Sequence, residues 1–208
     1  MGVVTKIEST KSKKGRKNIY IDEMYVGTLS DFCVFKYKIA EGGELTSQEL
    51  CDIQMESDVD VVFSKMVQLL TVSRKTKRQV LDYLTQKGYV DIVVDTVVSK
   101  LEKYGYIDDK VFAKMYIENH KNNWGKRKIE YELRQKGVSV AIVDEVLAEI
   151  DIQSDTVYYL AQKYMSNKDK TRENYSKLMR YLMGKGYMMD DVMVAINKIK
   201  SEDNYEDW

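Results

Sequence analysis

Apolar positions in this chain recur on two scales. On the short scale, Val94, Val97, Val98 and Leu101 stand at i, i+3, i+4 and i+7, as do Val143, Val146, Leu147 and Ile150, the spacing of one buried helical face. On the long scale the pattern repeats every 49 residues without a gap, marked by Lys87-Gly88, Lys136-Gly137 and Lys185-Gly186. Eight apolar columns follow that offset. They read Val62/Val111/Leu160, Phe63/Phe112/Ala161, Met66/Met115/Tyr164, Val80/Ile129/Leu178 and Leu84/Leu133/Leu182 before the glycine. After it come Val94/Val143/Val192, Val98/Leu147/Ile196 and Leu101/Ile150/Ile199. Three copies of one unit therefore cover about residues 57 to 201.

Each unit reads as three helices, near 58–70, 75–87 and 91–103 in the first copy. The run VDIVVDTVV at 90–98 is β-branched and by propensity alone would be a strand. Its counterpart AIVDEVLAEI at 141–150 is helix-forming, so the repeat decides for helix. The segment before the repeats differs. Asn18–Ile21 and Met24–Thr28 are β-like runs joined at Asp22-Glu23, the pattern of a hairpin. Asp31 can cap a short helix through Ile39, ended by Gly42-Gly43, and Thr46 with Glu49 is a capping-box pattern that starts another. A lone hairpin is marginal in water, so it is expected to pack on the first repeat or on a partner. The expected fold is mainly all-α, three tandem three-helix repeats in an elongated, curved array. An N-terminal extension with the hairpin covers 1–56, the repeats cover 57–104, 105–153 and 154–202, and an acidic tail covers 203–208.

Composition supports that picture. The 208 residues contain no proline, which suits helices with short connections. A chain of this length buries roughly 70% of its unfolded surface and needs no staple. Two cysteines make no disulfide framework, no apolar run approaches a membrane span, and the polar, basic N-terminus lacks a signal peptide. A cytoplasmic protein without a membrane association is expected.

Catalytic chemistry is poorly supplied. His120 is the only histidine, so paired-histidine zinc motifs are excluded. It lies in the polar run at a helix end, where a solvated residue complementing the helix dipole is the plain reading. No Walker loop and no G-x-G-x-x-G occurs. Asp108-Asp109 and Asp190-Asp191 sit where helices begin, the place of caps. The Lys-Gly pairs read as helix stops, and tyrosines such as Tyr83, Tyr89, Tyr181 and Tyr187 lie on or beside apolar columns and read as core. A non-enzymatic protein without a cofactor or metal is expected.

Charge is what remains. The chain's 33 basic and 33 acidic residues cancel. Yet the windows 71–90, 120–139 and 169–188, each built around a middle helix, carry +4, +4 and +3, so the rest of the chain carries −11. If units stack alike, the middle helices can form a basic stripe suited to an extended anionic partner. Lys75, Lys77, Arg78, Lys126, Arg127, Lys128, Arg134, Arg172, Lys177 and Arg180 are the candidate contact residues.

These residues also carry a resemblance. Gly105-Tyr106-Ile107-Asp108-Asp109, followed by Phe112-Ala113, resembles the most recognisable motif of the RecX regulators of the RecA recombinase. Gly125 through Ile129 and Glu132 through Val138 resemble that family's next block, and Thr76 through Leu84 with Lys87-Gly88-Tyr89 its first. Where the family usually has an arginine pair before the threonine, this chain has Ser73 and Lys75. The resemblance implies a tandem three-helix fold, with the motif residues mainly structural. It implies binding to the RecA filament on single-stranded DNA, the DNA directly or through RecA, with inhibition of ATP hydrolysis, strand exchange and coprotease activity; a monomer is expected. An autonomous DNA- or RNA-binding helical module, and a helical scaffold for an unrelated protein, are the alternatives.

Overall fold

A computed structural model describes residues 1–10, 15–149 and 154–206. The chain divides into two compact units, Met1–Lys75 with Val80–Ile107, and Thr76–Gln79 with Asp108–Trp208.

The first unit opens with strands β1 (Gly2–Ser9), β2 (Arg16–Ile21) and β3 (Met24–Ser30), then helix α1 (Asp31–Lys36) and the short strand β4 (Glu44–Leu45). They form an antiparallel sheet in the order β3-β2-β1-β4. The expected hairpin is β2–β3: Ile21 faces Met24, and Asp22 and Glu23 hold φ of 48° and 64°, the doubly left-handed loop that suits the twist of paired strands. The sequence reading misses β1, because a register shift between Val4 and Lys6 breaks the alternation that would have announced it.

The short helix also differs from expectation. Ser30 is its cap, accepting from the Cys33 N–H, with Asp31 in the first turn. It stops at Lys36 because Lys38 turns left-handed (φ 51°) and the Ile39 N–H returns to the Val34 carbonyl, well before Gly42-Gly43.

Thr46 and Glu49 do form a capping box, but the helix they start is α2 (Ser47–Val72), 26 residues without a break. The separate first helix expected near 58–70 is its second half. The helix is long because it serves two cores. Ile53 joins Val4, Ile19, Leu29 and Cys33 beneath the sheet. Val59, Val62, Met66 and Leu70 join α3 (Lys77–Gln86) and α4 (Asp91–Lys103). The sheet is fastened to it by the Gln54 amide donating to the Val26 carbonyl at 2.9 Å and by the Ser30 N–H donating to the buried Ser57 hydroxyl at 2.6 Å. Helix α4 is the β-branched run, with Val93, Val94, Val97, Val98 and Leu101 all buried. Tertiary burial, worth about 1.5–3 kcal/mol for each such side chain, outweighs strand propensities that span about 1 kcal/mol.

The second unit holds α5 (Asp109–His120), α6 (Lys126–Gln135) and α7 (Val140–Glu149), then α8 (Ser154–Met165), α9 (Arg172–Gly184) and α10 (Met189–Glu206). Ile129 and Leu133 of α6 and Leu178 and Leu182 of α9 are completely buried, as the columns require. Ile150 and the last two residues of the tail lie outside the described residues, and α10 runs through the tail's beginning.

The 49-residue offset fails on the first helices. Val111 and Met115, expected in the core, are 39% and 44% exposed, and α5 buries Ala113 and Ile117 instead. Burial pairs Met66 with Ile117 and Met165, offsets of 51 and 48. The connections to the middle helix differ, with four, five and six residues in the three copies. Each first helix therefore meets its core in its own register.

Candidate partner and nucleic-acid interface

The three Lys-Gly pairs end the middle helices in one way. Gly88, Gly137 and Gly186 hold φ of 76°, 85° and 85°. Each glycine N–H returns to the carbonyl three residues back (Thr85, Arg134, Met183). The next N–H (Tyr89, Val138, Tyr187) returns to Leu84, Leu133 or Leu182. This double closure satisfies the carbonyls a helix end leaves free and needs a left-handed residue that only glycine supplies cheaply.

Within the second unit the same stop is also a joint. The Gly125 N–H donates to the Lys185 carbonyl at 2.8 Å and the Arg127 N–H to the Gly186 carbonyl at 3.2 Å. The carbonyl end of α9 thus caps the amide end of α6, with opposite dipole ends together. Forty-nine residues earlier the arrangement recurs, where the Thr76 hydroxyl donates to the Lys136 carbonyl at 2.6 Å. Contact is too close for a side chain. A Cβ on Gly125 would stand 2.3 Å from the Gly186 oxygen, one on Gly186 2.4 Å from the Lys128 nitrogen, and one on Gly137 2.3 Å from the Arg78 Cβ.

These joints place part of the candidate set. Lys126, Arg127 and Lys128 form the first turn of α6, against the end of α9. Arg78 sits beside Gly137 at the end of α6, where Arg134 is in the last turn, and Lys77 precedes it with its N–H on Asp109. Lys177 and Arg180 lie along α9, and Arg172 at its far end, about 20 Å from Lys185 along the helix and outside the joint. Lys75 belongs to the first unit. All ten are exposed except Lys75 and Lys128, which are half-buried. Arg134 is paired with Glu130 at 2.6 Å and Lys177 with Glu173 at 2.7 Å, and Lys177 holds the Glu173 carboxyl below its ordinary range. Among the described residues no carboxylate pairs with Lys126 or Arg127.

An aromatic stack beside that turn is missed by the sequence reading. The His120 and Trp124 rings lie parallel, 4.0 Å apart, with Tyr116 4.4 Å from His120. Lys128 stands 4.5 Å from the Trp124 ring and Lys136 5.3 Å from Tyr116. His120 does lie in the last turn of α5, as expected, but half-buried in this stack and not fully solvated. Burial, then the charge of Lys136, push its pKa below the ordinary value. The i, i+4, i+8 spacing of Tyr116, His120 and Trp124 was the available signal.

Tyrosines divide as well. Tyr187 is buried, its pKa pushed up to about 12 by that burial, and Tyr83 and Tyr89 pack on the first-unit core. Tyr181, expected in the core, is 37% exposed, stacked on Tyr164 and covered by Lys185 at 5.1 Å.

The residues of the Gly105–Ala113 block build the passage from α4 to α5. Gly105 (φ 72°) stops α4, the Tyr106 ring packs edge-on against Phe63, and Ile107 is buried in the first-unit core. Asp108 caps α5 by accepting from the Val111 N–H at 2.9 Å, and Asp109 accepts from the Lys77 N–H at 2.8 Å. Phe112 and Ala113 pack in the α5–α7 core. Among the described residues no cluster of histidine, cysteine or carboxylate side chains could hold a metal ion, and no helix is long and apolar enough to cross a membrane.

A small antiparallel sheet followed by tandem three-helix modules defines a modular helical-repeat protein. Comparisons give the family. Residues 2–46 match the regulatory protein RecX N-terminal domain, residues 108–147 the RecX second three-helix domain, and residues 151–196 the RecX third three-helix domain. The regulatory protein RecX of Clostridium tetani (strain Massachusetts / E88) is 35% identical over 206 residues, covering 96% of this chain and 95% of its own. That of Clostridium beijerinckii is 30% identical over 209 residues, 98% of each chain. The chain belongs to the RecX family of regulatory proteins. Its fold is similar to a crystal structure of regulatory protein RecX, with a TM-score of 0.74 at 24% identity over 95% of this chain and 100% of that one. It is also similar to RecX from Lactobacillus salivarius, with a TM-score of 0.62 at 22% identity over 69% and 97%.

Proposed function

We propose that this protein is a non-enzymatic, cytoplasmic regulator of the RecA recombinase. Acting as a monomer, it binds RecA and its filament on single-stranded DNA and inhibits ATP hydrolysis, strand exchange and coprotease activity, with roles in recombination, DNA repair and the SOS response. Family membership supports the partner. The observation that carries the site is the first turn of α6, held against the end of α9 by two backbone hydrogen bonds, where among the described residues no carboxylate pairs with Lys126 or Arg127. Cations fixed in this way lose less freedom on meeting an anionic surface than cations on a mobile loop. Linked modules contacting successive protomers gain effective concentration, so weak contacts can add up along a filament. The domain division that goes with this reading is an N-terminal extension over 1–56, repeats over 57–104, 105–153 and 154–202, and the acidic tail over 203–208. The test is the DNA-dependent ATPase and strand exchange of RecA, which fall when this protein is added at stoichiometric concentration. Unchanged rates would refute the reading.

A second reading, autonomous nucleic-acid binding, draws on the Tyr116–His120–Trp124 stack beside Lys128, since aromatic rings interleaved with cations bind single strands. Titration of labelled single-stranded and duplex DNA without RecA separates the two. Tight, strongly salt-dependent binding would favour the second.

A further inference from the structure

Between α9 and α10 lies a groove of about 350 Å³ whose lining, among the described residues, contains no carboxylate. In a chain whose acidic and basic residues are equal in number, such a lining differs from the average surface. Its cations come from both sides, Lys170 and Arg172 at the start of α9 and Lys200 on α10. Its floor is apolar, made by Met179, Met193 and the buried Ile196. The groove lies at the opposite end of α9 from the joint with α6.

We propose that this groove binds an acidic peptide segment of a protein partner, seating one aliphatic side chain on the methionine floor between carboxylates held by Arg172 and Lys200. The floor decides against a nucleic acid. Tyr175, the aromatic residue of the lining, is half-buried, and the Lys200 ammonium stands over its ring 4.9 Å from the centroid. One face of that ring is thus already taken by a cation, which leaves less of it for a base. Among its described residues the lining also has no asparagine or glutamine amide to read a base edge. Two thioethers instead give an adaptable apolar bed for a side chain of unspecified shape. Cations on both walls favour negative charge on both sides of that side chain, and like charge would be expelled. The volume is at the small end for ligand sites, enough for an anchor residue and its neighbours. The proposal deepens the regulator reading by giving the chemistry of one contact on the partner, and it rests on that reading for the existence of a protein partner.

The experiment uses the full chain and a fluorescein-labelled nonapeptide of aspartate and glutamate around a central leucine, followed by fluorescence anisotropy. Saturable binding is expected, weakened at least tenfold by Arg172→Glu with Lys200→Glu and at least tenfold by Met193→Asp, with melting curves unchanged. Replacing the central leucine of the probe by serine weakens binding similarly, while Lys163→Glu on α8, outside the groove, leaves it within twofold. Absence of saturable binding, equal affinity of the groove variants, or displacement of the peptide by oligo-dT would each overturn the proposal. RecA is absent from the assay, so its result is separate from that of the ATPase test. Binding without ATPase inhibition would leave the groove and remove the regulator reading, and inhibition without binding would do the reverse.

Discussion

Gly88 and Gly186 are the same residue at the same place in their repeats, with φ of 76° and 85° and the same pair of returning hydrogen bonds. They differ in what lies beyond them. A Cβ on Gly88 would meet nothing within 4 Å, whereas one on Gly186 would stand 2.4 Å from the backbone nitrogen of Lys128. One glycine serves the end of its own helix, while the other serves that end and the start of the preceding middle helix. A repeated motif therefore need not have a repeated energetic weight, and the joint that positions the α6 cations depends on the second kind.

Substitution separates the two kinds. Gly186→Ala is expected to cost most, roughly 3–5 kcal/mol, because left-handed strain of about 1–2 kcal/mol is joined by a backbone collision. Gly137→Ala comes next, since the obstacle there is the Arg78 side chain near its root. Denaturant unfolding measures both, and a loss near that of Gly88→Ala would mean the joint gives way easily. Thr76→Val removes the hydroxyl from the other joint, where it donates to the Lys136 carbonyl and accepts from the Gln79 N–H while completely buried. A loss of about 1–3 kcal/mol is expected, and a neutral result would show that this hydrogen bond does not hold the joint. Gly88→Ala should cost only the strain, about 1–2 kcal/mol.

The smallest effect concerns pH. His120 has a folded pKa below its ordinary 6.5, so in acid the unfolded chain takes up the proton first. Its contribution to stability is complete above 6.5 and is lost as pH falls through the lower folded value. Lys128, Lys136 and Glu132 are the charges that face it, and Tyr116 and Trp124 the rings. His120→Phe keeps a ring in the stack and should flatten the change in melting temperature between about pH 7 and 5 relative to the parent. Identical slopes would mean that the imidazole titrates as freely folded as unfolded.

The contrast between the glycines also marks what the sequence could reveal. The middle and third helices keep the 49-residue offset because their glycine stops pin the register, so Val80, Ile129 and Leu178 were placed correctly in the core. First helices are joined through connections of unequal length, and Val111 and Met115 were misplaced. Helix α2 looked like two helices because its halves belong to different cores. The cations of the candidate site were readable as charge, and Gly125 as a residue. Their meeting was not, because a joint between residues 125 and 186 depends on stacking geometry that no local pattern encodes. The same holds for the groove, whose walls come from α9 and α10 together.

The most direct measurement is the single-stranded-DNA-dependent ATPase of RecA with the parent protein and with Lys126, Arg127 and Lys128 all changed to glutamate. The parent should suppress hydrolysis, and the triple variant, with a native circular dichroism spectrum, should not. Suppression by the variant equal to that of the parent would contradict the assignment of the contact to the first turn of α6.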